Sequence, residues 1–245
     1  NREETKAWVA AQNKVTDDYL ATIPFRNNVK KRLEELWNYP KYSSPFKEGE
    51  YYYFFKNDGL QNQSVAYRQM GLDGSPEVFL DPNKLSDDGT AALAGISFSK
   101  TSKYLVYSVS QSGSDWQTGY IMDVKTKEKT GEQLNWLKFT GFSWKGDDGF
   151  YYSRYPEPKE GDELKGKNES SKVYYHQLGT TQTEDVLIYE DKEHPLRFVG
   201  VGLTEDERFL ILSTSEGTSG SEIWYKDLKD PSQKEFSLLI PGFTT

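Results

Sequence analysis

The sequence contains no cysteine and only two histidines, and no apolar run in it approaches the ~18 residues of a membrane span. Each shortage removes a class of chemistry. Without cysteine there is no disulfide framework, no thiolate zinc site and no thiol nucleophile. With so few histidines, a serine relay has almost no choice of base. The 30 Lys and Arg residues are outnumbered by 38 Asp and Glu, a net charge of −8, which argues against neutralising the phosphates of a nucleic acid. No nucleic-acid partner, no membrane insertion, no metal and no cofactor are therefore expected. Residues Asn1 to Lys6 are polar and charged rather than signal-like. The chain reads as if it opens inside a helix, so an upstream segment is expected to be missing. A cytoplasmic location is expected, with a periplasmic or secreted one as the alternative.

Aromatic residues, at 15% of the chain, are abundant and recur in register. An apolar residue is followed six positions later by an aromatic four times over: Phe46/Tyr52, Phe98/Tyr104, Trp144/Phe150 and Leu203/Phe209. Short strands ending at Met70, Val124, Leu178 and Leu228 repeat at steps of 54, 54 and 50 residues. Repeats of roughly 40–50 residues built from short strands mark propeller blades, whose apolar faces are covered only by the next blade. The fold class is therefore all-β: a β-propeller of about four four-stranded blades at 41–81, 93–135, 137–190 and 197–240, forming residues 39–245. Gly242-Phe243-Thr244-Thr245 looks like the entry to a further blade. An arc of this kind leaves two apolar flanks uncovered, so self-association through blade faces is expected.

Residues 1–38 form a separate helical segment. Trp8, Ala11, Val15 and Tyr19 share one helical stripe, and Phe25, Val29, Leu33 and Leu36 another. Pro24 fits the first turn of the second helix, and Pro40 stops it. Each stripe needs a surface to dock on, with Trp8 and Phe25 as anchors; a plain capping hairpin is an equal reading. Glu157 to Ser171, rich in Lys, Glu and Gly, reads as a solvated excursion within the third blade.

Motifs for chemistry are missing. The nucleophile elbow, X-Ser-X between two glycines, is absent; Gly141-Phe142-Ser143-Trp144-Lys145 lacks the second glycine and lies in an inner strand, where Ser143 should pack or bond to backbone. His176 reads as half-buried in a strand and His194, before Pro195, as exposed; neither has a partner motif nearby. Asp87-Asp88-Gly89 and Asp147-Asp148-Gly149 are turns rather than calcium loops. Gly200-Val201-Gly202 lacks the rest of a dinucleotide site. Ser112-Gly113-Ser114-Asp115-Trp116 lies on a blade rim, free to meet a partner, or else forms a turn in which Asp115 bonds local backbone.

Several runs carry a resemblance: Tyr39-Pro40-Lys41-Tyr42-Ser43, Gly59-Leu60-Gln61-Asn62-Gln63, Phe79-Leu80-Asp81-Pro82-Asn83, Leu85-Ser86-Asp87-Asp88-Gly89-Thr90, Ser112-Gly113-Ser114-Asp115-Trp116 and Tyr174-Tyr175-His176-Gln177-Leu178-Gly179-Thr180. Together and in order, they resemble the prolyl oligopeptidase, or prolyl endopeptidase, family. The resemblance implies a seven-bladed propeller joined to an α/β-hydrolase domain that cuts short peptides after proline with a Ser-Asp-His triad. It implies that this chain holds the helical segment and about four of those blades, with no catalytic residue. The partners implied are short proline-containing peptides, the remaining blades and the hydrolase domain.

By motif position the resemblance also implies a substrate-binding set. Phe139 matches an aromatic lining the pocket for the substrate residue two before the proline, and Phe198 and Thr218 match further wall positions. Mammalian members usually carry methionine and cysteine at those last two, and Ser215 replaces a basic residue. Asp115 and Trp116 fall on the rim facing the hydrolase domain. Phe139 and Phe198 are alternatively ordinary blade-core aromatics. A free-standing interaction propeller would call for a closed ring, and a propeller glycosidase for two facing acids on inner strands, which are lacking.

Overall fold

Helix formation at the start of the chain follows from residue type and spacing. In the computed structural model, which describes residues 2–218 and 220–243, α1 runs Glu3–Ala21 and α2 runs Arg26–Trp37. Glu3 and Glu4 sit in the first turn of α1, where carboxylates oppose the helix dipole, and Lys14 pairs with Asp18 one turn on, at 2.7 Å. Pro24 lies in the turn between the helices rather than in the first turn of α2, whose N-cap is Phe25. Neither helix has a buried residue, and Trp8 and Phe25 are 64% and 62% exposed. The expected anchoring of these two side chains is thus not met within this chain. Both apolar stripes exist, and both face solvent.

From Lys41 onward the chain forms four antiparallel sheets. The first holds β1 (Lys41–Tyr42), β2 (Phe46–Glu48), β3 (Tyr51–Asn57), β4 (Val65–Met70) and β5 (Glu77–Leu80). The second holds β6 (Ala91–Phe98), β7 (Tyr104–Gln111), β8 (Gln117–Asp123) and β9 (Lys129–Leu137). The third holds β10 (Phe142–Lys145), β11 (Gly149–Arg154), β12 (Lys172–Gln177) and β13 (Val186–Glu190), and the fourth β14 (Phe198–Leu203), β15 (Phe209–Ser215), β16 (Ser221–Asp227) and β17 (Ser237–Ile240). Order within each sheet follows the sequence, the meander of a propeller blade. In the first sheet the leading strand is split: β1 and β2 both pair with β3, interrupted around Pro45, which has no N–H to give to the ladder. Thr244 and Thr245, half of the expected entry to a further blade, lie outside the described residues.

The core lies between sheets, as the repeat predicts. Alternation along β3 sends Tyr51, Tyr53 and Phe55 toward the second sheet, where they meet Leu105, Tyr107 and Met122. Val106, Ile121, Leu134 and Leu137 of the second sheet meet Trp144, Phe150 and Tyr152 of the third. Val173 of the third meets Val199 and Leu212 of the fourth. Each fully buried large side chain contributes about 1.5–3 kcal/mol relative to exposure. On the outer flank of the fourth sheet, Phe209, Ile211, Tyr225 and Leu239 line an open apolar groove.

Hairpin tips at one end of the arc stitch the sheets together. Thr101 N–H donates to Asp147 Oδ1 at 3.1 Å, and Gly146 N–H to Glu207 Oε1 at 2.9 Å. Asp147 therefore does more than shape its turn. Lys100 of the second sheet reaches past the third to the Glu205 carbonyl, at 2.8 Å, and carboxylate. The opposite end carries the loops 57–65, 111–117, 154–172 and 215–221 and the links 137–142 and 190–198.

Candidate functional site

Every residue singled out for binding falls at that second end. Phe139 lies in the link between β9 and β10 with φ 54°, a left-handed conformation uncommon for a non-glycine residue, and the residue is 56% exposed. Phe198 opens β14, paired with Ser215. The two rings meet edge to face at 5.7 Å, the arrangement aromatic quadrupoles favour. Neither belongs to a buried inter-sheet core, so together they form an apolar step open to solvent. Thr218 is exposed in the β15–β16 turn, which Gly217 (φ 64°) makes possible.

Asp115 and Trp116 stand on the same end but apart from this pair. Asp115 is exposed; the local backbone bond comes from its neighbour instead, Ser114 Oγ accepting from Trp116 N–H at 3.1 Å. Trp116 is half-buried. Its Nε1 donates to the Glu163 carbonyl at 2.6 Å, its ring lies edge-on to Trp136 and Tyr155, and the Lys138 ammonium sits 4.1 Å from its centre. Lys138 also donates to Asn168 at 2.9 Å. The 157–171 excursion, expected to be solvated, is thereby tied down over a cavity of about 370 Å³ that Trp116 and Tyr155 help to line. Nothing in the sequence signalled this cluster, because Lys138 and Trp116 are brought together by sheet pairing.

The rim between the third and fourth sheets is charged. Arg197 lies within 3.5 Å of Asp191, 3.3 Å of Glu222 and 3.8 Å of Glu216, and His194 Nδ1 is 3.1 Å from Asp191. Burial alone would raise the Asp191 pKa, but hydrogen bonds from the His194 backbone and ring, and its charge, outweigh that and hold it below the usual carboxylate range.

His176 is fully buried, not half-buried as its sequence context predicts. Its Nδ1 lies 2.7 Å from Asp185 Oδ1, while Tyr152 OH donates to the other Asp185 oxygen and Gln182 donates to Tyr152 at 3.0 Å. Burial first, then the Asp185 carboxylate, raises the pKa of Tyr152. Among the described residues, no serine hydroxyl bonds either histidine; Ser143 Oγ accepts from Leu203 N–H at 2.7 Å, the backbone role its inner-strand position predicts. The His176–Asp185 pair is thus sealed in a seam, both side chains shut off from solvent. Among the described residues, no three His, Asp or Glu side chains are grouped to hold a metal ion.

Sheets stacked face to face, with the Phe139 and Phe198 rings open on one rim, define part of a β-propeller. The model described as "Prolyl oligopeptidase, N-terminal beta-propeller domain" matches residues 1–244, and the chain belongs to the prolyl oligopeptidase family. It is 50% identical over 241 residues to the prolyl endopeptidase of Elizabethkingia meningoseptica, covering 98% of this chain and 34% of that protein. It is 35% identical to prolyl oligopeptidase A of Amanita bisporigera, covering 92% and 33%. Among solved structures, prolyl oligopeptidase B from Galerina marginata bound to a 25mer macrocyclization substrate superposes with a TM-score of 0.85 at 29% identity, over 98% of this chain and 36% of that one. The chain spans about a third of the length of the curated relatives it matches.

Proposed function

We propose that this chain is the propeller portion of a serine endopeptidase that hydrolyses short peptides on the C-terminal side of proline, and that its role is to cover and line the active site rather than to break bonds. The exposed Phe139–Phe198 pair carries this reading: two rings at one end of the arc offer an apolar wall where a substrate side chain would leave water. Thr218 extends that wall, and Asp115 and Trp116 face the hydrolase domain from the same end. Relatives named as prolyl endopeptidases, and a solved relative bound to a peptide substrate, support the substrate class. A disc set over the catalytic cleft admits short or flexible peptides and excludes folded proteins by size. The nucleophile, base and acid belong to a downstream α/β-hydrolase domain, so this chain alone is inactive.

The test is turnover. The complete polypeptide should release a reporter placed after proline in a short peptide and leave a folded proline-rich protein intact, while the isolated chain should release nothing. Reporter cleavage that co-purifies with the folded isolated chain would overturn the assignment.

A further inference from the structure

Arg197 directly precedes Phe198 and is mostly buried, its side chain 14% exposed. Three carboxylates from different segments converge on it. Asp191 stands at the start of the link that leads to it, Glu216 before the β15–β16 turn and Glu222 after it, at 3.5, 3.8 and 3.3 Å. The Phe243 ring packs on the guanidinium at 4.3 Å. One cation therefore fastens the 190–198 link to both sides of the turn that displays Thr218. A planar guanidinium can face acceptors in several directions at once, which a lysine ammonium on a flexible stem cannot do with the same geometry. Without it, the carboxylates would lose their common counter-charge in a partly buried site and repel.

We propose that Arg197 is a positioning residue: acting through Phe198, it holds the apolar wall made with Phe139 and sets that wall's distance from the Thr218 turn. This role rests on the reading of Phe139 and Phe198 as substrate-contacting. Arg197 takes no part in bond breaking, so its loss should alter how one substrate residue is held and leave the chemical step alone.

The test uses the complete polypeptide and two short reporter peptides that are identical except for phenylalanine or glycine two residues before the proline. Arg197→Met should raise KM for the phenylalanine peptide about tenfold, while kcat for both peptides and KM for the glycine peptide stay within about twofold. Arg197→Lys should restore part of the loss, and Glu222→Gln should move KM in the same selective way by less. An equal change for both peptides, or none, would overturn the role. Should Arg197→Met fail to fold, the lysine and glutamine variants decide on the same readout, and wild-type selectivity in both overturns it. A wild-type enzyme that cleaves neither peptide removes the functional reading and this role with it. A wild-type enzyme that prefers phenylalanine, with variants that keep the preference, removes only Arg197.

Discussion

The seam between the second and third sheets and the seam between the third and fourth are built differently. The former buries Val106, Ile121, Leu134, Leu137, Trp144, Phe150 and Tyr152 together, and encloses the His176–Asp185–Tyr152 network beside Phe150. Among the described residues, the latter has a buried cluster of Val173, Val199 and Leu212 with Ile188, Tyr189, Val201, Trp224 and Phe236 partly buried against it, and it is braced at its rim by ion pairs around Arg197. The proposed binding pair spans this lighter seam. Contacts that are short in range and made by charge can re-form after a small shift; a close-packed aromatic core cannot. The lesson is that the proposed substrate wall stands where the arc is tied rather than cemented.

Truncation should show the contrast most strongly. Phe150→Ala should cost about 3–5 kcal/mol of unfolding free energy, and Leu212→Ala about 2–5 kcal/mol toward the low end of that span, both measured by urea denaturation of the complete polypeptide. A larger cost for Leu212 would reverse the ranking of the seams. Asp185→Ala, which strands a buried imidazole and a buried phenol at once, should cost about 3–5 kcal/mol; a neutral result would mean that the network is incidental.

Phe139→Ala should cost about 1–3 kcal/mol in kcat/KM for peptides with an apolar residue two before proline, with the melting midpoint unchanged. Loss of stability without loss of selectivity would return Phe139 to a packing role.

Solution pH gives the finest comparison. Burial pushes Tyr53 and Tyr107, in the seam between the first two sheets, up to about 12. An unfolded tyrosine ionises near 10, so their contribution is complete below that value and is lost as pH rises toward 12. Asp191 runs the opposite way. Its depressed pKa adds stability above the ordinary carboxylate value, lost as pH falls through its folded value. Absorbance titration at alkaline pH should find the tyrosines ionising late and together with unfolding. Asp191→Asn should flatten the acid limb of the stability profile and leave the alkaline limb unchanged.

Much of the arc was legible because strands of a meander bury aromatics at fixed offsets. Phe98, Trp144 and Leu203 do flank the first hairpin of their sheets, and the helices follow their stripes. What stayed hidden depends on pairing between distant segments or on backbone conformation. His176 near the end of β12 and Asp185 just before β13 meet across a connection with a 3-10 turn at Gln182–Glu184, which sets the carboxylate against the ring in a way no local pattern announces. The left-handed φ of Phe139 and of Trp136 is likewise silent in residues with side chains. Lys138, a charged residue in the β9–β10 link, is buried over Trp116. Arg197 gathers its acids from both sides of a turn some 20 residues on, which spacing alone does not reveal.

The reach of Lys100 to Glu205 has a geometric consequence of its own. A tie between immediate neighbours fixes one tilt, but a tie that skips a sheet is a chord, and a chord with its two bounding angles determines the radius of a circle. Removing that strut should therefore loosen the angle between the second and fourth sheets of the arc, though an exposed pair of this kind adds little to stability.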